Sequence, residues 1–510
     1  MNRTLLILEV SRKQDYIFSS NHLRDNADRS DIIRYVTSAA FFESAAPEFY
    51  TEKNYVYAGG GHTILQFEDA DTARKFAEKV TYKAMHDYDG LELFARQMDY
   101  QASLTPGDNL LELSKALERK KSLRRASFCL GALGIEGKPV KDMRERYIPK
   151  PLVEAPAGWE FAKQFEDLLG KTDENFIAVV HIDGNAMGVR VQEIYKGAGD
   201  SWERCCGRLR RFSEGIQSDF EQAFCEMARD VAAHEADNPA GHTSVLPVRP
   251  VILAGDDVCF VARGSLGLAC ADRFIHHLSR KTNAEDGQRY AACAGVAMVH
   301  LKYPFHQAYD LSEALCSSAK KCGVALCEDS SACIMDWHIE FGQLKENLGE
   351  IRQDYRTEDG RHMELRPVVV LPGNMDAAAR DRVNVRTYPF VRGLCVRLQQ
   401  VVKNSGDRIA RSKLKELRSA IKQGELECRY ALQDGEITHL LRTAFDAEHS
   451  SAEEQLRIFL DMLKKQVVAE HKPFRDFDDG GRNGSEIVSH CLFFDAIEMM
   501  DHFEQLEDLE

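Results

Sequence analysis

The chain has 510 residues, with 66 lysines and arginines against 81 aspartates and glutamates, and its formal net charge is −15. A hydrophobic fraction of 44% and a charged fraction of 29% are typical of globular proteins and exclude collagen-like, disordered and disulfide-scaffold chains. The negative net charge argues against general electrostatic binding of nucleic acid, but it does not exclude a local basic groove. Since domains run to about 100–200 residues, we expect three or four.

The sequence shows no targeting signal and no common cofactor motif. It lacks the run of about 18–20 uncharged apolar residues that a membrane helix needs, and residues 1–16 do not resemble a signal peptide. We therefore expect a cytoplasmic protein with no membrane partner, whose 14 cysteines remain thiols. The cysteine spacing does not favour structural zinc, and no G-x4-G-K-[ST] loop of a P-loop ATPase occurs.

Residues 1–123 predict one unit that begins with a strand and ends with a helix. Apolar residues alternate or run continuously in the strands and recur every three or four positions in the helices. The predicted elements are strand Arg3–Ser11, helix Asp31–Ala45, strands Tyr55–Ala58 and Thr63–Phe67, helix Asp71–Asp87, strand Leu91–Tyr100 and a helix that begins at Pro106. Residues 124–172, with four prolines and little periodicity, are interpreted as a connector.

Residues 173–345 predict the same order again. The elements are strand Phe176–Asp183, helix Ser201–Ala233, strands Val245–Gly255 and Val258–Arg263, helix Leu266–Arg280, strand Tyr290–His300, helix His306–Lys321 and strand Ala332–Ile339. The fold class is therefore α/β (α+β), with two ferredoxin-like βαββαβ units. Residues 346–510 predict a mainly helical C-terminal domain whose last helix is Ser489–Glu507.

The two units predict an internal duplication. Their hairpins and first strands can be aligned by eye, and the alignment pairs Asp183, Asp256 and Asp257 of the second unit with Ser11, Gly60 and Gly61 of the first. The carboxylates are thus expected in one copy only.

Three aspartates are the candidate catalytic residues. Asp183 ends a buried strand, while Asp256 and Asp257 lie in a tight connection between two apolar strands. If these strands are neighbours, the carboxylates meet at one edge, where they can bind two Mg²⁺ or Mn²⁺ ions and a nucleoside triphosphate for phosphoryl transfer. The alternative is an ordinary polar turn, since aspartate favours turns. The apolar flanking strands and the acid-free first unit favour the metal site.

Further residues are candidates for nucleotide binding because they are small or basic. Glycines let a phosphate or a base approach the backbone, and lysines neutralise phosphate. The candidates are Gly59, Gly60, Gly61, His62, Gly184, Asn185, Gly188, Gly255, Lys320 and Lys321. Each group has an alternative: the glycine run also suits a tight hairpin, and lysines near a helix end also complement the helix dipole.

As a set, these motifs resemble the large polymerase–cyclase subunit of type III CRISPR effector complexes, whose hairpin carries GGDD. The similar segments are residues 246–258, 181–188, 294–300, 57–62 and 14–18. The resemblance implies two facing palm domains that join ATP by 3′–5′ transfer into cyclic oligoadenylates and release pyrophosphate. It implies metal binding by Asp183, Asp256 and Asp257, and contact between a base or ribose and residues 59–62.

The chain departs from this family pattern at three points. Ala254 replaces the first glycine of GGDD, and the chain starts directly at the first palm, without the nuclease domain. The connector has Cys129 alone where members of the family often hold a zinc module. We therefore expect a stand-alone relative in prokaryotic antiviral defence. The alternative is a non-catalytic scaffold that binds nucleotides, RNA or other effector subunits. A template-dependent polymerase is less favoured because the sequence shows no basic, aromatic-interleaved track.

Overall fold

The structure is a computed structural model. It describes residues 3–122, 147–172, 174–237, 244–342, 345, 347–405, 407–446, 454–478 and 486–506. Residues 124–146 of the predicted connector lie outside these ranges.

The first unit, residues 3–122, contains one four-stranded sheet with the strand order β2-β3-β1-β4. Strand β1 lies in the middle because all but one of its eight residues are buried. Helix α4 packs its apolar stripe inward, and the Asp69 side chain caps its N-terminus. The elements are β1 (Thr4–Ser11), α1 (Lys13–Ile17), α2 (Leu23–Val36), α3 (Ala39–Ala45), β2 (Tyr55–Gly59), β3 (His62–Phe67), α4 (Ala70–Asp87), β4 (Glu92–Asp99) and α5 (Pro106–Ser122).

The second unit, residues 174–342, repeats this order at the centre of a larger sheet. Its elements and those that lead into it are β5 (Glu160–Phe161), β6 (Phe176–Gly184), α6 (Met187–Ala198), α7 (Trp202–Asp237), β7 (Val245–Leu246), β8 (Val248–Ala254), β9 (Asp257–Arg263), α8 (Gly267–Ser279), β10 (Ala292–His300), α9 (Phe305–Leu326) and β11 (Cys333–Ile339). The strand order β8-β9-β6-β10 matches β2-β3-β1-β4 element for element.

Close packing in the second unit depends on Gly295 of β10. A Cβ atom there would lie 2.1 Å from the carbonyl oxygen of Ser312 on α9. Glycine therefore lets α9 pack directly against the sheet, and α9 carries Lys320 to the sheet edge.

The C-terminal region is mainly helical but contributes strands as well. Its elements are α10 (Leu348–Gln353), β12 (Val368–Leu371), α11 (Ala377–Val383), α12 (Tyr388–Asn404), α13 (Asp407–Gln423), α14 (Glu425–Ala431), α15 (Gly435–Ala444), α16 (Glu454–Leu463), β13 (Phe474–Asp478), β14 (Ile487–Cys491) and α17 (Phe494–Met499). Strand β12 pairs with β11 and extends the second sheet to six strands. The prediction of a mixed α/β chain is confirmed.

The predicted helix Ser489–Glu507 is wrong. Residues 487–491 form β14, which pairs antiparallel with β13, and only Phe494–Met499 are helical at this place. Ile487 and Val488 are β-branched and favour a strand once a partner strand is present.

A buried ion network ties this region to the second sheet. Arg366 has no exposed side-chain surface and lies 2.6 Å from a carboxylate oxygen of Glu498 and 3.4 Å from one of Asp495. Its guanidinium also lies over the Trp337 ring of β11. The network thus connects α17 with strand β11 of the second sheet.

None of the helices in the described ranges combines the length and the apolar character needed to cross a lipid bilayer.

Candidate functional site

The sheet register brings the three predicted carboxylates to one edge. Asp183 at the end of β6 is paired with Asp257 at the start of β9. The backbone N–H of Gly184 donates to the carbonyl oxygen of Asp256 at 3.1 Å. Positive φ in this turn falls on Gly255, at 71°, so glycine is required only at the first turn position, as in a type II′ turn. Ala254 lies in β8, where its methyl group is tolerated.

The side chains at this edge are not drawn into one tight cluster. Lys320 Nζ lies 2.5 Å from Asp183 Oδ2 and donates to the carbonyl oxygen of Gly184 at 3.0 Å. Within the described ranges, three potential metal-ligand atoms lie within 4.8 Å of one another only at His234, Glu235 and Glu504. The aspartates are therefore neighbours whose oxygens do not form a compact cluster.

The group at His234, Glu235 and Glu504 is already neutralised by an arginine. Arg263 contacts Glu235 at 2.5 Å and Glu504 at 3.0 Å, and His234 lies 2.8 Å from Glu504. These ion pairs explain the cluster as a structural network.

Burial and mutual repulsion raise the pKa of both hairpin aspartates. Burial and then the nearby Asp183 raise the pKa of Asp256 to about 6 and that of Asp257 to about 7. The Asp257 side chain keeps 46% of its surface exposed to a cavity, yet its Oδ1 is buried and accepts no hydrogen bond. His181 lies beneath it, with Nδ1 3.9 Å from that oxygen. Ionisation of Asp256 and Asp257 therefore lowers the stability of the folded protein.

This cost predicts a pH-dependent stability. Asp257→Asn should raise the melting temperature of the metal-free protein at pH 8 by at least about 2 °C, and by less at pH 5. Because the folded-state pKa lies above the ordinary value near 4, the contribution of Asp257 to stability is full below pH 4 and is lost as the pH rises through about 7. Thermal denaturation in EDTA at both pH values measures this. The exposed Asp381→Asn serves as the control, and equal shifts at both pH values would contradict the prediction.

A cavity of about 960 Å³ lies between the two units. The turn of β8–β9, with Asp256 and Asp257, lines one side, and the glycine loop 59–61 lines the other. The two hairpins approach closely, since a Cβ atom on Gly60 would lie 4.0 Å from the carbonyl oxygen of Ala254. The volume falls in the range of about 300–1,000 Å³ that small-molecule sites occupy.

The glycine loop is a tight hairpin as well as a cavity wall. Gly60 and Gly61 have φ values of 56° and 77°, which favour glycine. His62 follows at the start of β3, where its Nε2 is 3.0 Å from the Tyr57 hydroxyl. Burial, and then Lys13, lower the pKa of His62 to about 4, so the imidazole is neutral at pH 7.

One helix of the second unit contacts both hairpins. On α7, Ser213 donates to the carbonyl oxygen of Ala58 at 2.8 Å. About one turn along, Gln217 accepts from the N–H of Gly255 at 2.7 Å and donates to the carbonyl oxygen of Leu253 at 3.1 Å. Residues 213 and 217 lie on the same face of the helix. Helix α7 therefore fixes the position of both cavity walls.

Seven of the ten predicted nucleotide-binding residues do not line the cavity: His62, Gly184, Asn185, Gly188, Gly255, Lys320 and Lys321. The Asn185 amide donates to the carbonyl oxygens of Ser330 and Ala332, and so it ties the segment between β6 and α6 to the segment between α9 and β11. Gly188 and Lys321 are exposed and do not line the cavity. Lys320 contacts Asp183 and the carbonyl oxygen of Gly184, and Gly255 lies at the turn between β8 and β9.

The strand registers correct the sequence alignment of the two units. In the first unit Glu9 is paired with His62, as Asp183 is paired with Asp257 in the second. The N–H of Val10 donates to Gly61 at 3.1 Å, as that of Gly184 does to Asp256. The counterpart of Asp183 is therefore Glu9 rather than Ser11, and Gly61 and His62 correspond to Asp256 and Asp257.

Sequence reasoning missed the basic residues of the first unit's wall. Lys121 of α5 lies 3.0 Å from Glu9 Oε1, and Lys13 donates to the carbonyl oxygen of Gly60. The only sequence signal was the basic end of the helix at residues 118–121, which the helix dipole explains equally well.

Comparison with known proteins identifies the fold but not the sequence family. No protein-family model matches the chain, and no curated protein matches its sequence. A chain of the Csm1–Csm4 cassette in complex with cA4 matches with a TM-score of 0.53 and 14% identity, over 98% of this chain and 69% of that chain. The cassette in complex with one ATP matches with a TM-score of 0.50 and 16% identity, over 92% and 70%.

The matched chains are longer than this one. A cassette structure in complex with cA3, with a TM-score of 0.45 and 16% identity, is covered over 56% of its length by 71% of this chain. At these identities the likeness concerns the fold. The predicted resemblance to type III CRISPR complexes is thus confirmed as a structural similarity: the protein is similar in fold to their Csm1–Csm4 cassettes.

Proposed function

We propose that the protein is a metal-dependent nucleotidyltransferase that joins ATP by 3′–5′ transfer into a cyclic oligoadenylate, releases pyrophosphate and acts in prokaryotic antiviral defence. The observation that carries the proposal is the cavity with Asp256 and Asp257 on one wall and residues 59–61 on the other. Structures of similar fold are complexes with ATP and with cA4. The domain bounds 1–123, 124–172, 173–345 and 346–510 belong to this proposal, with the first and third segments as palms.

The residues present fit a divalent metal. Asp183, Asp256 and Asp257 would hold Mg²⁺ or Mn²⁺, which prefer carboxylate oxygens. The buried Oδ1 of Asp257 has no hydrogen-bond partner, and the raised pKa of two of the acids reflects negative charge that a cation would compensate. When bound, the ions would activate a 3′-hydroxyl and neutralise the leaving pyrophosphate.

Residues of α7 hold the two hairpins that form the cavity walls. Gln217 fixes the turn that carries Asp256, and Ser213 fixes the opposite hairpin, so both walls are held before any nucleotide binds. Glycines at 59–61 leave space for a base or ribose. Such positioning accounts for much of the rate enhancement in phosphoryl transfer.

The proposal is tested by incubating the purified protein with Mn²⁺ or Mg²⁺ and each nucleoside triphosphate, followed by mass analysis of the products. A cyclic product from ATP with release of pyrophosphate is expected. A protein that binds ATP but forms no phosphodiester product with either metal would overturn the proposal.

One observation favours the alternative, a non-catalytic scaffold that binds nucleotides or RNA. Lys320 already neutralises Asp183, and the three carboxylates do not converge. A scaffold would form no phosphodiester product from ATP, so the same product analysis separates the two functions.

The glycine loop gives a prediction for the acceptor nucleotide. Gly60→Asn should reduce joining of two ATP molecules at least about tenfold, because the new side chain enters the cavity while asparagine still tolerates positive φ. 3′-Deoxy-ATP lacks the hydroxyl group that is extended, so it can bind without reacting. Calorimetry with this nucleotide and Mn²⁺ should show one nucleotide bound to the Gly60→Asn protein and two bound to the parent protein.

The matched control is Gly90→Asn. Gly90 also has positive φ, at 78°, and open space around it, but it lies between α4 and β4 away from the cavity. If both variants behave like the parent protein, the loop is only a hairpin turn and the acceptor binds elsewhere.

A further inference from the structure

His181 of β6 is a buried histidine on the same face of the second sheet as the aspartates. It precedes Asp183 by two residues on the strand, so both side chains point to one face of the sheet. Because the register pairs Asp183 with Asp257, His181 is a diagonal neighbour of Asp257 on the adjacent strand. The imidazole therefore lies beside the carboxylate of the hairpin.

Two buried atoms face each other at this place without a hydrogen bond. His181 Nδ1 and Asp257 Oδ1 are 3.9 Å apart, which is about 1 Å more than the length of an N–H···O bond. Neither atom is exposed, and neither has a hydrogen-bond partner among the described residues. Since an unmade hydrogen bond of a buried polar atom is costly, donation from Nδ1 to Oδ1 would satisfy both atoms at once.

Packing against α9 holds the imidazole ring beneath the hairpin. The ring of Tyr309 lies edge-on to that of His181, with centroids 5.6 Å apart and an interplanar angle of 81°. Tyr309 is fully buried, and its hydroxyl accepts from Gln14 of the first unit at 3.2 Å. Residues of both units thus keep the ring next to the carboxylate.

The two oxygens of the Asp257 carboxylate have different surroundings. Oδ1 is buried beside His181, while 46% of the side-chain surface is exposed where Asp257 lines the cavity. The oxygen left to the cavity is therefore Oδ2, which a divalent cation can reach. Carboxylates that bind metal ions are in turn hydrogen-bonded, and such partners orient them.

We propose that His181 is a positioning residue, which donates from Nδ1 to Asp257 Oδ1 and so directs Oδ2 of this carboxylate to the metal ion. The carboxylate selects the imidazole tautomer with its hydrogen on Nδ1, because the other tautomer would turn a lone pair toward an anionic oxygen. The proposal rests on the proposed function in that Asp257 binds the ion. It adds a residue that sets the affinity for the ion without contacting it.

The test is a titration of the full chain and its variants with Mn²⁺, in which electron paramagnetic resonance measures the free ion. The relevant site is the Mn²⁺ binding that Asp257→Asn removes. His181→Leu should weaken this binding at least about tenfold, because it removes the donor.

Two amide variants separate the hydrogen bond from the bulk of the ring. The amide nitrogen of His181→Asn can occupy the place of Nδ1, so this variant should bind Mn²⁺ within about threefold of the parent protein. The amide nitrogen of His181→Gln reaches instead toward the place of Nε2, so this variant should resemble His181→Leu. A role in packing alone would not distinguish the two amides.

The matched control is His338→Leu. His338 is also a buried histidine of the second sheet, on β11, but it does not line the cavity. Its substitution should leave the Mn²⁺ affinity unchanged even where it lowers the melting temperature. Circular dichroism checks the fold of each variant, and the two amide variants keep the test decisive if His181→Leu unfolds. Equal affinities of the two amide variants, or parental affinity in His181→Leu, would overturn the proposal.

The outcome is separable from that of the proposed function. Mn²⁺ binding that depends on His181 in this way, in a protein that makes no cyclic product, would support the positioning role and reject the cyclase. Product formation by a protein whose His181 variants all bind Mn²⁺ equally would do the reverse.

Discussion

Asp257→Asn should lower pyrophosphate release from ATP by at least about 100-fold in the presence of Mn²⁺. The substitution keeps the shape of the side chain but removes the charge of a carboxylate whose Oδ1 has no protein partner. Asp257 is also paired in register with Asp183, so its loss weakens the metal site at its centre. Initial rates of pyrophosphate release at saturating metal measure the effect.

Two comparisons make this result specific. Asp256→Asn should behave similarly, since that residue forms the same turn, whereas the exposed Asp381→Asn on α11 should match the parent rate. An Asp257→Asn protein that is folded and releases pyrophosphate at the parent rate would show that the hairpin is not catalytic.

Arg366→Met should destabilise the protein by about 3–5 kcal/mol, because it leaves the buried Asp495 without a counter-ion and Glu498 with only Arg418, at 3.7 Å. Asp495 and Glu498 each have only 1% of their side-chain surface exposed, and both contact Arg366. Methionine retains the bulk of the side chain, so the loss comes mainly from charge. Chemical denaturation at pH 7 measures the change in the unfolding free energy.

Arg408→Met provides the reference for this stability change. Arg408 is exposed on α13, and surface substitutions of this kind usually change stability by less than about 0.5 kcal/mol. Equal midpoints for the two variants would mean that the buried network contributes no more than a surface charge. A large loss would show that α17 is held to the sheet mainly by this network.

Local patterns in the sequence were sufficient for most of the two repeated units. The strand predicted at Phe176–Asp183 is Phe176–Gly184, and that predicted at Leu91–Tyr100 is Glu92–Asp99. Continuous apolar runs predict buried strands well because burial alone selects those residues. The hairpin with Asp256 and Asp257 was likewise found from its own neighbours.

What failed depended on contacts between distant residues. The segment at residues 487–491 becomes a strand only because β13 offers it a partner. The alignment of Ser11 with Asp183 was based on short similar motifs. The strand register depends instead on the residues that flank each two-residue turn. Lys121 looked like an ordinary basic helix end, and its contact with Glu9 spans 112 residues of sequence.

The contacts of α7 with both hairpins couple the movements of the two cavity walls. Ser213 and Gln217 are about 6 Å apart along one helix axis, at about 1.5 Å per residue, and each holds a different hairpin. A translation of α7 would therefore move both walls in the same direction and leave the distance between them unchanged. A twist about the helix axis would instead release both hairpins at once, so the two walls would open and close as a coupled pair rather than independently.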